Sequence, residues 1–109
     1  MARRSRYTIT YSPEVSRHVD AILPNLQRDI RRAIEGQLSF MPGGTPTRNR
    51  KPLEDQPGPY GATWELRCGA RNQFRVFYEF SSQTREVWIL AIGFKNRDRL
   101  FIAGKEFVP

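Results

Sequence analysis

The sequence predicts an α+β fold in two layers: an N-terminal strand, a two-helix hairpin, then a mostly antiparallel sheet of three or four strands. Three observations carry this. Apolar residues recur at helical spacing from Val15 to Met41, and they alternate with polar ones from Trp64 to Phe80. An eight-residue run, Val87 to Phe94, is apolar on both faces, as a central strand is. A chain of 109 residues leaves room for a single domain, spanning 1–109, with one core.

In the first strand, Tyr7, Ile9 and Tyr11 alternate with Thr8 and Thr10. Ser12-Pro13-Glu14 follows with a capping hydroxyl, a proline suited to the first helical position and an acid for the positive end of the helix dipole. Val15, His18, Val19 and Ile22 then fall on one helical face, which continues through Leu26, Ile30, Ala33, Ile34 and Leu38. Pro24 interrupts it, so two helices are expected, about residues 13–23 and 25–41, turning at Pro24-Asn25. Arg28, Arg31 and Arg32 lie off the apolar stripe. From Pro42 to Gly61, five of the eight prolines and four of the eight glycines predict a long loop. In the sheet, Trp64, Leu66 and Cys68 share one side of a strand, and Phe74, Val76, Tyr78 and Phe80 one side of the next. Gly69 to Gln73 supplies the hairpin turn between them. A short strand within Arg99 to Phe107 closes an edge.

The charge balance, 18 Lys plus Arg against 11 Asp plus Glu, gives a formal net charge of +7. Lys51, Lys95 and Lys105 are the lysines and the other 15 cations are arginine, whose guanidinium grips phosphate or carboxylate with two parallel donors. A polyanion, nucleic acid foremost, accounts for such a composition. So does a general arginine bias, and only placement can separate the two. Seven Phe, four Tyr and two Trp exclude a disordered basic tail. The longest apolar run is far short of the roughly 20 residues a membrane-spanning helix needs, and the N-terminus lacks the continuous hydrophobic segment of a signal peptide. One cysteine, Cys68, fits a reducing compartment. A cytoplasmic protein without membrane contact is expected.

Metal and nucleotide cofactors are not expected. There is one histidine, the acids show no metal-loop spacing, and no glycine loop stands in the strand-helix context that cradles phosphate. His18 and Cys68 read as packed core side chains. Arg67 and Arg75 flank the hairpin turn and, by alternation, share the face opposite Trp64, Leu66 and Val76. Lys95 and Arg97 leave the end of the central strand, and Arg48, Arg50 and Lys51 arrive from the loop. Such a patch could hold a phosphodiester and stabilise added negative charge, with Tyr60, Phe77, Tyr78 or Phe101 stacking a base. The same arginines also suit ordinary cross-strand ion pairs with Glu65 and Glu79.

Five segments in order resemble the RelE/ParE toxin superfamily of bacterial type II toxin-antitoxin systems. They are Thr47-Arg48-Asn49-Arg50-Lys51-Pro52-Leu53, Trp64-Glu65-Leu66-Arg67, Phe74-Arg75-Val76-Phe77-Tyr78, Ala91-Ile92-Gly93-Phe94-Lys95, and Leu100-Phe101-Ile102 with Gly104-Lys105-Glu106-Phe107. The resemblance implies a RelE-like fold and a small basic toxin neutralised by a cognate acidic antitoxin that wraps around it. RelE-like members cleave mRNA on the ribosome without metal, the ribose 2′-hydroxyl attacking its neighbouring phosphate, whereas ParE-like members poison DNA gyrase. The implied reading is thus a ribosome-dependent mRNA endoribonuclease or translation inhibitor. The alternatives are a non-catalytic gyrase inhibitor and a degenerate member that only binds antitoxin. By motif, Arg67 and Arg75 match the family's sheet arginines and Lys95 the basic residue after the Ile-Gly step. Arg48, Arg50, Lys51, Arg97 and Phe101 would hold RNA. The chain departs from the best-known pattern, with Thr63 and Glu65 in place of strand lysines and Phe101 in place of a C-terminal tyrosine. Phenylalanine stacks but moves no proton, and arginine is a poor base. Glu65 is then the carboxylate able to act as one if it faces the patch.

Overall fold

The computed structural model describes residues 6–54 and 58–108. The basic residues 1–5, residues 55–57 of the long loop, and Pro109 lie outside the described residues. In chain order the elements are β1 (Thr8–Tyr11), α1 (Val15–Asp20), α2 (Pro24–Leu38), β2 (Arg50–Pro52), β3 (Trp64–Cys68), β4 (Phe74–Ser81), β5 (Glu86–Asn96), β6 (Arg99–Ile102) and β7 (Lys105–Glu106). The two-layer α+β arrangement is the expected one.

Four local outcomes differ from the sequence expectation. Pro24 opens α2 instead of forming the turn before it, because a residue without an N–H loses nothing in the first helical turn. Ser12 does not cap α1 with its side chain. Its hydroxyl bonds the Glu14 carboxylate, and the helix starts at Val15. The chain from Pro42 to Gly61 is not all loop, since Arg50–Pro52 pairs with β3. The C-terminal stretch likewise makes two strands, β6 and β7, around a turn at Ala103 and Gly104, both with positive φ (53° and 79°). Together these give a seven-stranded sheet, larger than the count that alternation alone predicts.

The strand order is β2-β3-β4-β5-β6-β7, with β1 joining β5 in parallel. One edge of β5 runs along β4. Its other edge is shared, β1 covering Glu86–Ile89 and β6 covering Gly93–Asn96. Between them Leu90, Ala91 and Ile92 have no strand neighbour on that edge. There α1 closes the gap: the Ile92 N–H donates to His18 Nδ1 at 3.2 Å. The Ser12 N–H, just before the helix, donates to the Ile89 carbonyl at 2.9 Å.

A bulge sets the faces of β5. Phe77 pairs with Ala91 and Tyr78 with Ile89, leaving Leu90 without an opposite number. Before it, Val87 and Ile89 point under the helices; after it, Ile92 and Phe94 do. Val15, Ile22, Ile30, Ile34 and Leu38 pack onto Leu66, Val76, Tyr78, Val87, Ile89 and Ile92 to form the main core. Gln27 ties the two helices together, its Nε2 donating to the carbonyls of Val19 (2.9 Å) and Ile22 (2.7 Å). A smaller apolar cluster of Ala62, Phe77, Ala91 and Ile102 covers the opposite face, with Leu53, Leu90, Leu100 and Phe107 against it.

Candidate functional site

The face of the sheet away from the helices carries the cations. Antiparallel register sets Arg67 directly opposite Arg75, Glu65 opposite Phe77 and Lys51 opposite Glu65. The Leu90 bulge adds Lys95 to this face. Without it, period-2 alternation from Val87 would turn residue 95 toward the helices; with it, Ala91, Gly93 and Lys95 line up with Phe77 and Arg75. Gly93 permits the crowding at this point, since a Cβ there would lie 2.5 Å from the Phe101 carbonyl oxygen.

Glu65 joins three of these cations. Its Oε2 is 3.4 Å from Arg67 Nε and 3.9 Å from Lys51 Nζ, and its Oε1 is 3.9 Å from Arg75 Nε. Arg75 is enclosed, its side chain 11% exposed, and its Nε and Nη1 have no hydrogen-bond partner among the described residues. Burial, then the adjacent Arg67 charge, draw its pKa below the ordinary arginine range. Beside Arg75 opens a cleft of about 360 Å³, bounded by Glu65, Phe77, Lys95, Pro59 and Phe107, with Asp98, Arg99 and Glu106 at its polar rim. A guanidinium with free, desolvated donors facing a cleft is suited to an oxyanion.

The sequence-derived residues divide. Arg67, Arg75, Lys95, Glu65 and Lys51 come together. Arg97 is exposed in the β5–β6 turn with φ 60°, near the same end of the sheet. Arg48 is exposed ahead of β2. Arg50, one residue from Lys51 in a strand, faces the other way: it is 7% exposed, and its Nη2 donates to the Thr45 carbonyl at 3.4 Å. Phe101 also lies on the helix side, stacked on Phe94 with ring centroids 5.4 Å apart. Tyr78 is buried, with its hydroxyl donated to the Pro42 carbonyl at 2.5 Å and its pKa raised by burial. The Cys68 thiol is pushed up to about 11 by burial, as a core residue's would be. Sequence reasoning missed the contribution of Pro59, Phe107 and Glu106 to the cleft, because neither irregular segments nor a two-residue strand carry a periodicity to place them.

A second cleft, about 570 Å³, lies between the helices and the end of β1. Val19, Ile30, Ile34 and Ile92 give it apolar walls, and Arg28 and Arg31 stand at its margin. Arg31 lies over the Tyr11 ring, 6.0 Å from the centroid.

No protein-family model matches this sequence, and no curated protein matches it. Among solved structures it is similar to a chain in the crystal structure of the toxin-antitoxin complex RelBE2 from Mycobacterium tuberculosis. The match has a TM-score of 0.66 at 21% identity and covers 87% of this chain and 98% of that one. At that identity the likeness establishes the fold: the chain has the RelE-like architecture.

Proposed function

We propose that this chain is the toxin of a toxin-antitoxin pair and that Arg75 and Lys95 in the cleft grip an RNA phosphodiester, so that mRNA is cleaved or blocked on the ribosome. The observation that carries the reading is Arg75, with two unpartnered N–H-bearing nitrogens beside a cleft that Lys95 also lines. When a 2′-oxygen attacks the neighbouring phosphorus, the phosphoryl oxygens gain charge before the 5′-oxygen leaves. Arg75 and Lys95 would stabilise that charge in a site already stripped of much of its water. Arg67 and Lys51 extend the field along the β2–β3 side toward the flanking backbone.

The neutralising partner is proposed to be an acidic antitoxin. The RelE-like fold is seen in a toxin-antitoxin complex, and the groove between α1 and α2 offers Arg28 and Arg31 to carboxylates above apolar walls.

The decisive variant is Arg75→Ala with Lys95→Ala. Expressed without antitoxin, the parent chain is expected to arrest growth and to leave mRNA cuts that primer extension maps to codon-defined positions, whereas the double variant does neither. Arrest at full strength by the variant would remove these residues from the site. Arrest with intact mRNA and impaired supercoiling would favour the gyrase-inhibitor reading.

A further inference from the structure

Among the described residues Glu65 is the one carboxylate in direct contact with the arginine pair, and the proposed chemistry lacks a proton acceptor, so a general base is its obvious assignment. Its surroundings point elsewhere. Both oxygens face cations on different strands: Oε2 faces Arg67 on its own strand and Lys51 on β2, and Oε1 faces Arg75 on β4 at 3.9 Å, an ion pair without a hydrogen bond. The residue is 8% exposed. A base must bring a free oxygen within about 3 Å of the hydroxyl it deprotonates, and here each oxygen already faces at least one cation.

The same geometry supplies a different task. Arg67 and Arg75 oppose each other directly across β3 and β4, where like charges work against strand pairing. Arg75 is too enclosed for salt to screen much of that repulsion. Glu65 sits on the same face, two residues before Arg67, and attracts both. It does so without consuming the donors that matter: Arg67 Nε makes a long hydrogen bond to it, whereas Arg75 Nε and Nη1 remain unpartnered.

We infer that Glu65 is a positioning residue, a carboxylate clamp that keeps Arg67 and Arg75 side by side on the cleft's face of the sheet, and not the group that takes the proton. The inference rests on the reading of the cleft as an RNA phosphate site. The clamp also makes Glu65 conditional on Arg67: once one of the two facing charges is gone, there is little repulsion left to offset.

A double-mutant cycle with Glu65→Gln and Arg67→Gln tests this in the full chain, read by mRNA cleavage in a translation extract and by thermal unfolding. Glu65→Gln alone is expected to lower cleavage about tenfold or more. In the Arg67→Gln background, the same change should cost less than about twofold. The acidic limb of the pH–rate profile should persist in Glu65→Gln. Losses that multiply, with that limb abolished, would make Glu65 the base and overturn the clamp. In unfolding, Glu65→Gln is expected to lower the Tm by about 4 °C, with part of this recovered on adding Arg67→Gln. An equal drop with and without Arg67 would overturn the clamp. So would a Glu65→Gln chain that stays unfolded after Arg67→Gln is added, whereas a chain refolded by that addition would support it. A parent chain that cleaves no mRNA would defeat the RNA reading, and the unfolding cycle would still decide the clamp.

Discussion

His18 is held neutral by two features at once. Burial lowers its pKa from the ordinary 6.5, aided by the nearby Arg17 and opposed by Glu14. Its Nδ1 accepts the Ile92 N–H, which a protonated ring cannot do. Because the folded pKa lies below the unfolded one, the unfolded chain binds more protons once the pH falls below about 6.5. The contribution to stability is therefore complete above that value and is lost progressively below it. Urea midpoints are expected to be level near pH 7 and to decline toward about pH 5, and His18→Asn, whose Oδ1 can keep the bond, should flatten that decline. An unchanged slope in the variant would show that other groups govern it. At this scale much is legible: helical or strand spacing puts His18 and Cys68 on apolar faces, and both are buried, as is Tyr78, which the same alternation turns inward and away from stacking a base. Arg50 and Lys51 could not be separated, because three paired residues amid proline and glycine give no phase to read.

Among the elements, β5 decides the site. Its sequence announces a central strand but conceals the phase, since apolar residues on both faces look the same whether or not a residue is skipped. The skip at Leu90 brings Lys95 beside Arg75, so the cation pair predicted from sequence is reached by a route that alternation does not show. Gly93 marks the point where β6 comes closest. Gly93→Ala would drive a methyl into the Phe101 carbonyl and against Ile102 and Leu100. A cost of about 1–3 kcal/mol is expected, seen as a Tm lowered by at least about 4 °C; if the cleft holds RNA as proposed, binding should weaken too, because Leu100 and Lys95 both line it. An unaltered Tm would mean that β6 yields freely. The α1–α2 boundary is not legible in the sequence, because proline ends one helix and begins the next equally well; here it begins α2.

For the whole molecule, the sheet is a partition. One face is sealed by the helices over the main core, and the other keeps a small apolar cluster and the cleft. Fold class and the charged face were readable from periodicity and from the net charge of +7, while the cleft walls needed the assembled chain. If the cleft holds a nucleic acid backbone, the logarithm of the affinity for single-stranded RNA should fall linearly with the logarithm of salt concentration. Lys51→Gln with Lys95→Gln should then reduce the slope by about 0.7 for each phosphate contact removed. A slope that does not move would place the phosphate contacts elsewhere. The stretch Leu90–Ile92 carries one more consequence. It is the part of the central strand whose outer edge is guarded by a helix and not by a strand. If α1 swings away on acidification, an apolar strand edge opens to the first chain that can pair with it. Self-association at mildly acid pH would then begin at the middle of the sheet, before the molecule as a whole has unfolded.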